Sequence, residues 1–329
     1  MTKKTISFIS KFPDADVKYL RSVLDEHYNF IFPSDYSQDS LLNHISKVQV
    51  LIGRAIFPEL IKAAKNLEIV HSPGAGIDGI NLEILKGTKI KLCNSHSNSK
   101  YVAEFSIGLL FSLLKKISLH DRLMRSGKWF RPTGQPSDLL YTSDSLFGKI
   151  IGFLGYGKIA QDIHQLLSPF GNRVIACKKN KSDNIPNVAL LTLKEVLSEA
   201  DIVFITMPLT IDTREIINIE NLKLMKSSSW LINVSRGPII KESDLYTALD
   251  KNIIAGAAID VWTQIHADGE LKFPSKEYPF HLLDNVIMSP YRAGYVKDFS
   301  PHLIGVAENL LKYAKSNELE NVINLYTGY

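Results

Sequence analysis

A chain of 329 residues, 45% hydrophobic and 22% charged, has the composition of a globular protein and is too long for one ordinary core, so two domains are expected. Its net charge of +4 is mild, and its lysines are spread without interleaved aromatics, which argues against nucleic-acid binding. No run approaches the ~18–20 apolar residues that cross a bilayer, and MTKKTISFIS reads as a first strand, so no membrane anchor and a cytoplasmic location are expected.

Over residues 1–98, TISFIS, NFIF, VQVLI, LEIV and IKLC read as strands alternating with amphipathic segments such as PELIKAAKN. Such alternation predicts a parallel sheet covered by helices. Residues 100–129 space their apolar positions by three and four without a proline, which predicts one long helix. FRPTGQPSDLLYTSDSLFGK, with two prolines and two glycines, follows as a loop. A second βα series runs through KIIGFLGYG, RVIAC, DIVFIT, SSWLINVS, IIAGAAID and NVIMS, and residues 300–316 are helical again, long enough to return to the first domain. Cys93 and Cys177 each close a strand without paired spacing and read as reduced thiols. His, Cys and acidic residues show no metal-ligand spacing, so no metal is expected.

Gly155-Tyr156-Gly157-Lys158-Ile159-Ala160 lies between an apolar strand and an amphipathic helix. This is a dinucleotide fingerprint with alanine in the third glycine place. The first glycine turns the chain, the second admits a diphosphate, and the helix start offers its free N–H groups to that diphosphate. The next strand, RVIAC, ends not in an acid but in Lys178-Lys179-Asn180-Lys181. Lysines attract the 2′-phosphate that a carboxylate would repel, at about 1.5–3 kcal/mol per charge-assisted bond, so NADP is expected over NAD. A solvated lysine turn is the alternative.

SPGAGID (72–78), VAE (102–104) opening the long helix, LFGKIIGFLGYGKIA (146–160), MPLTIDT (207–213), LINVSRG (231–237), AGAAIDVW (255–262) and NVIMSP (285–290) occur in one order over nearly the whole chain. Together they resemble the D-2-hydroxyacid dehydrogenase family. The resemblance implies an α/β protein in which a doubly wound Rossmann domain, 99–293, is inserted into a flavodoxin-like substrate domain, 1–98 plus 294–329. It also implies an active site between the domains and a homodimer joined through the cofactor domain and the 100–147 helix and loop, with the Trp129 loop embracing the partner subunit.

By the same resemblance Arg236 holds the substrate carboxylate and polarises its carbonyl, work that suits a planar guanidinium. The backbone N–H groups of Ala75 and Gly76 hold that carboxylate from the substrate domain, and Asp260 lies near the nicotinamide. Met207, Pro208, Thr213, Val234 and Ala293 join Gly155, Tyr156, Gly157, Lys158, Ile159, Lys178 and Lys179 as cofactor contacts. Arg54, closing VQVLI, is expected to face the cleft and bind a second anionic group, with a salt-bridged structural arginine as the alternative.

The family's catalytic glutamate and histidine are both missing. The glutamate's place, five residues after Asp260, is Ile265 beside the non-ionising Gln264, and the histidine's place is Tyr291. A phenol with a pKa near ~10 can protonate an alkoxide, and a nearby Arg292 or Arg236 would lower that value. Loss of general acid catalysis costs ~10²–10⁴ in rate. His96, before the long helix, is the next candidate acid, ahead of His266 and His281. The expected activity is NADP-dependent hydride transfer to or from a small 2-oxo or 2-hydroxy acid with an altered proton donor. The alternatives are an NADP(H)-binding sensor on the same fold, or an oxidoreductase for another small anion such as a phosphorus-containing acid.

Overall fold

Five parallel strands form the first sheet of the computed structural model, which describes residues 3–131, 133, 142–179, 184–266, 272–297 and 300–328. One unit comprises Met1–Asn98 and Tyr295–Tyr329, the other Ser99–Gly294. In the first unit the chain lays down β1 (Lys4–Phe8), α1 (Asp14–Leu24), β2 (Tyr28–Ile31), α2 (Gln38–Ile45), β3 (Val50–Ile52), α3 (Pro58–Ala63), β4 (Ile69–His71) and β5 (Lys91–Cys93). The strand order β2-β1-β3-β4-β5 is the flavodoxin-like one. Period-2 alternation divides the core. Val50 and Ile52 pack with Leu20 and Leu24 of α1, while Leu51 packs with Leu41 and Ile45 of α2 and Leu60 of α3.

The second unit begins with α4 (Ser99–Leu114) and α5 (Ile117–Arg125). It continues with β6 (Ile150–Leu154), α6 (Lys158–Leu167), β7 (Arg173–Cys177), β8 (Val188–Leu190), α7 (Leu193–Glu199) and β9 (Ile202–Ile205). The remainder is α8 (Ile219–Leu222), β10 (Trp230–Asn233), α9 (Glu242–Asp250), β11 (Gly256–Ile259) and β12 (Val286–Met288). All seven strands are parallel in the order β12-β11-β10-β9-β6-β7-β8. The winding direction reverses at β6, and a ligand crevice forms outside the carboxyl ends of the strands at such a switch point. The chain then returns to the first unit as α10 (His302–Ser316), whose Leu303, Val306 and Leu310 cover the α1 side of its sheet.

Two expectations are corrected. The single helix over 100–129 is broken: Lys116 takes a left-handed φ of 50°, and its N–H bonds to Leu113 O at 3.1 Å. The carbonyl of Leu114 accepts from Asp144 N at 2.9 Å, and Lys115 Nζ donates to Asp144 O at 2.6 Å, so a distant segment caps the first helix. The apolar spacing runs on across this break and conceals it. The edge strand β8 was not expected: it has only three residues, none of them buried, and so leaves little apolar signal. Both cysteines are free. Among the described residues, no helix is long and apolar enough to cross a membrane, and no group of three or more His, Cys, Asp or Glu side chains could hold a metal.

Candidate active site

The fingerprint turn sits where the switch point requires it, between β6 and α6. Gly155 has φ +90°, donates its N–H to Cys177 O at 3.0 Å, and receives Thr206 Oγ1 on its carbonyl at 2.6 Å. A Cβ at Gly155 would stand 2.6–2.7 Å from the Met207 backbone, so only glycine closes this turn. Gly157 differs: a Cβ there meets nothing within 4 Å, leaving open space at the start of α6. No side chain caps that helix, so its first N–H groups, from Lys158 and Ile159 onward, are available to an anion. The third small position, Ala160, is fully buried. These residues fit a dinucleotide diphosphate.

Tyr156 points inward. Its ring meets Phe153 edge-on at 5.6 Å and its hydroxyl lies 2.6 Å from His164 Nδ1, so only its backbone is left for a cofactor. Burial raises the Tyr156 pKa and lowers that of His164. The Lys158 ammonium pairs with Asp162 at 2.8 Å. After β9, Thr213 Oγ1 donates to Pro208 O at 2.7 Å and accepts from Thr210 N at 2.7 Å, while Ser235 Oγ donates to Met207 O. Met207 and Pro208 are thus fixed beside the fingerprint. Past β7, Lys178 is half-buried and Lys179 exposed, whereas Asn180 and Lys181 lie outside the described residues.

Gly237, next to Arg236, and Tyr291 meet one segment, Trp262–Thr263. Gly237, directly after Arg236, approaches so closely that a Cβ would lie 2.2 Å from Trp262 C and 2.6 Å from Thr263 N. Tyr291 donates its hydroxyl hydrogen to Trp262 O at 2.5 Å. Trp262 is itself held by its indole N–H on Ser289 O at 3.0 Å. Arg236 gives one guanidinium N–H to Ser235 O at 2.7 Å, and Asn233 Nδ2 holds the Arg236 carbonyl at 3.0 Å. The buried Asp260 binds the Tyr291 loop. Its carboxylate accepts Arg292 N at 2.8 Å and Ala293 N at 3.1 Å, and its carbonyl accepts Tyr291 N at 2.8 Å. Tyr291 has φ 56°, unusual for a side chain of that size, and the three bonds hold it there. Val234 and Ala293 are buried in the core below.

The first unit presents its own residues at the carboxyl ends of β3, β4 and β5. Ser72 Oγ and Ser95 N both bond to Gly74 O, at 3.1 and 3.4 Å, and Asn94 Nδ2 donates to Ala75 O at 2.7 Å. A trans peptide points its N–H opposite its carbonyl. The N–H groups of Ala75 and Gly76 therefore face away from Ser72 and Asn94. Arg54 donates Nε–H to Ser72 Oγ at 3.2 Å, and its guanidinium lies where a Cβ at Gly74 would stand. Burial lowers the pKa of His96. It also lowers that of His302, where Arg54 acts in the same direction and Asp16 opposes. Ile265 is 76% exposed, His266 bonds Phe273 O at 2.9 Å, and His281 stacks on Phe273 at 3.6 Å. Trp262, Ser72, Asn94 and Thr206 were not singled out in the sequence. They act through backbone oxygens, Ser72 on one two residues away and the others on distant segments, a role that leaves no motif.

The family model of the D-isomer specific 2-hydroxyacid dehydrogenase NAD-binding domain matches residues 107–293, more than half of the chain. A glyoxylate reductase of Thermofilum pendens is 30% identical over 299 residues, covering 88% of this chain and 85% of its own. A hydroxypyruvate reductase of Thermotoga maritima is 30% identical over 260 residues, 77% of this chain and 80% of its own. Among solved structures, an acyclic imino acid reductase in complex with NADPH and D-Arg is similar with a TM-score of 0.81 at 25% identity, covering 97% of this chain and 100% of that one. The chain is an α/β oxidoreductase that belongs to the D-isomer specific 2-hydroxyacid dehydrogenases.

Proposed function

We propose that this chain is an NADP-dependent oxidoreductase of small 2-oxo and 2-hydroxy acids. The observation that carries the reading is the junction at Trp262, where Gly237, next to Arg236, packs on the Trp262–Thr263 backbone and Tyr291 bonds to Trp262 O, in the unit that contains the fingerprint. Gly155, Gly157 and the start of α6 would hold the diphosphate, and Lys178 with Lys179 the 2′-phosphate; when bound, the nicotinamide supplies a hydride. Arg236 orients the carboxylate and draws electron density from the carbonyl oxygen. The outward N–H groups of Ala75 and Gly76 would bind a substrate carboxylate, and Arg54 a second anionic group where the substrate has one. Tyr291 protonates the new alkoxide only after its hydroxyl leaves Trp262 O, so carbonyl reduction is slow. His96 is the second candidate; burial lowers its pKa, so it holds a proton to give less readily. Exposed Ile117, Met124, Trp129 and Phe130 form the face through which a second copy binds.

NADPH oxidation with a 2-oxo acid panel tests the reading. Replacing Lys178 and Lys179 together by alanine is expected to weaken NADPH by about 10–100-fold and to leave NADH nearly unchanged. Equal losses for both cofactors would remove the 2′-phosphate assignment. Bound NADPH without turnover on any 2-oxo acid, with or without an added amine, would favour the sensor reading.

A further inference from the structure

We infer that His164 is a positioning residue for the cofactor: through Tyr156 it holds the Gly155–Gly157 turn and the start of α6 ready for a diphosphate. This rests on the fingerprint as a dinucleotide site and adds a residue outside that motif.

The turn needs such a hold. Glycine has more backbone freedom than any other residue, and two of them flank Tyr156. Gly155 is tied to Cys177 O of β7 and to Thr206 Oγ1 just past β9. Gly157 belongs to the helix, its carbonyl accepting Gln161 N at 3.0 Å. The side chain of Tyr156 joins these two ends. Its ring meets Phe153 of β6 edge-on, and its hydroxyl lies 2.6 Å from His164 Nδ1 of α6. Phe153 in turn stacks at 5.5 Å on Phe204, its register partner in β9. The paired strands are the rigid side of this brace, and His164 is its helix side.

His164 is well placed for the task. It follows Gly157 by seven residues, about two helical turns, and so lies on the same face of α6. Ala160 stands between them on that face, fully buried in the apolar cluster that also contains Tyr156. Burial raises the Tyr156 pKa and lowers that of His164, so at neutral pH the O–H donates and Nδ1 accepts. A diphosphate would take N–H groups from Lys158 and Ile159 onward. Their aim depends on the first turn of α6, and helix ends fray. Tying residue 156 to residue 164 fixes that turn before a ligand arrives, which lowers the ordering cost of binding. The bond therefore acts on affinity, because the segment it closes is the one that receives the anion.

Dissociation constants for NADPH, NADH and ADP-ribose, which has the diphosphate and no nicotinamide, test the inference. They are measured by titration calorimetry, well below the melting temperature, in wild type, Tyr156→Phe, His164→Ala, the double variant and His164→Asn. Each of the first two substitutions is expected to weaken all these ligands by the same factor, about threefold to tenfold. The double variant is expected to lose no more than the weaker single one, since both changes remove one bond. His164→Asn, whose side-chain oxygen can take the place of Nδ1, is expected to bind within about twofold of wild type. In the protein without ligand, hydrogen exchange of the 156–160 amides is expected to quicken in Tyr156→Phe while that of β9 is unchanged. A lower melting temperature with unchanged dissociation constants makes the pair structural only and overturns the inference. Additive losses in the double variant, or a loss confined to one ligand, overturn it too. Each of these results leaves the dinucleotide assignment standing, whereas a wild type that binds none of the ligands removes both.

Discussion

His71 offers a sharp test of how the first unit is held together. It ends β4, directly before the Ser72–Gly76 loop, and is fully buried. Nδ1–H donates to Ser72 O at 3.0 Å, and Nε2 accepts from Asn309 Nδ2 at 3.1 Å. Asn309 is locked in that orientation, because its Oδ1 accepts Glu320 N at 2.7 Å and its Nδ2 also donates to Glu320 O at 2.9 Å. A proton on Nε2 would therefore set donor against donor. Burial drives the His71 pKa from 6.5 down to about 4, with the bond to Ser72 O opposing. The folded value is the depressed one, so the unfolded chain takes up the proton first. The neutral ring's contribution is complete above pH 6.5, falls as pH drops toward about 4, and is lost below it. The gap corresponds to about 3 kcal/mol, of which about 2 kcal/mol is gone by pH 5.

Tryptophan fluorescence would not report this, because Trp129, Trp230 and Trp262 all lie in the other unit. Hydrogen exchange of β4 and α10 peptides, corrected for intrinsic rates, does. The wild-type opening free energy is expected to fall by about 2 kcal/mol from pH 8 to pH 5, and that of His71→Gln, less stable throughout, to stay level. Carboxylates titrate in both chains and cancel in the comparison. Parallel pH curves for the two proteins would refute the argument.

Other outcomes follow from close contacts. Gly155→Ala forces a Cβ onto the Met207 backbone at φ +90°, and a strained residue there costs about 1–3 kcal/mol; a lower melting temperature and at least about tenfold weaker NADPH binding are expected by scanning calorimetry and titration. Asp260→Asn can present an amide N–H to the N–H groups of Arg292 and Ala293. Loss of these charge-assisted bonds, about 1.5–3 kcal/mol each at most, is expected to raise exchange of the 291–293 amides while α6 stays protected; unchanged exchange would count against the clamp. Trp129→Glu with Met124→Glu places charge on an exposed apolar face, and light scattering is expected to show a dimer for the wild type and a monomer for the variant.

Much of this protein is legible along the chain. Parallel strands buried on both faces are short apolar runs, and the fingerprint is local, since Gly155, Gly157 and Ala160 act within one turn and the helix it starts. The sequence also places Ile265 and Tyr291 where the family resemblance leads one to expect a glutamate and a histidine. Three-dimensional packing decided the rest. The break at Lys116 depends on Asp144, and β8 exists because β7 offers it an edge. The polarity of the Tyr291 hydroxyl was set by a carbonyl 29 residues away. Periodicity and motif report what a segment does to its own backbone; which distant oxygen a hydrogen meets is fixed only when the strands stand side by side.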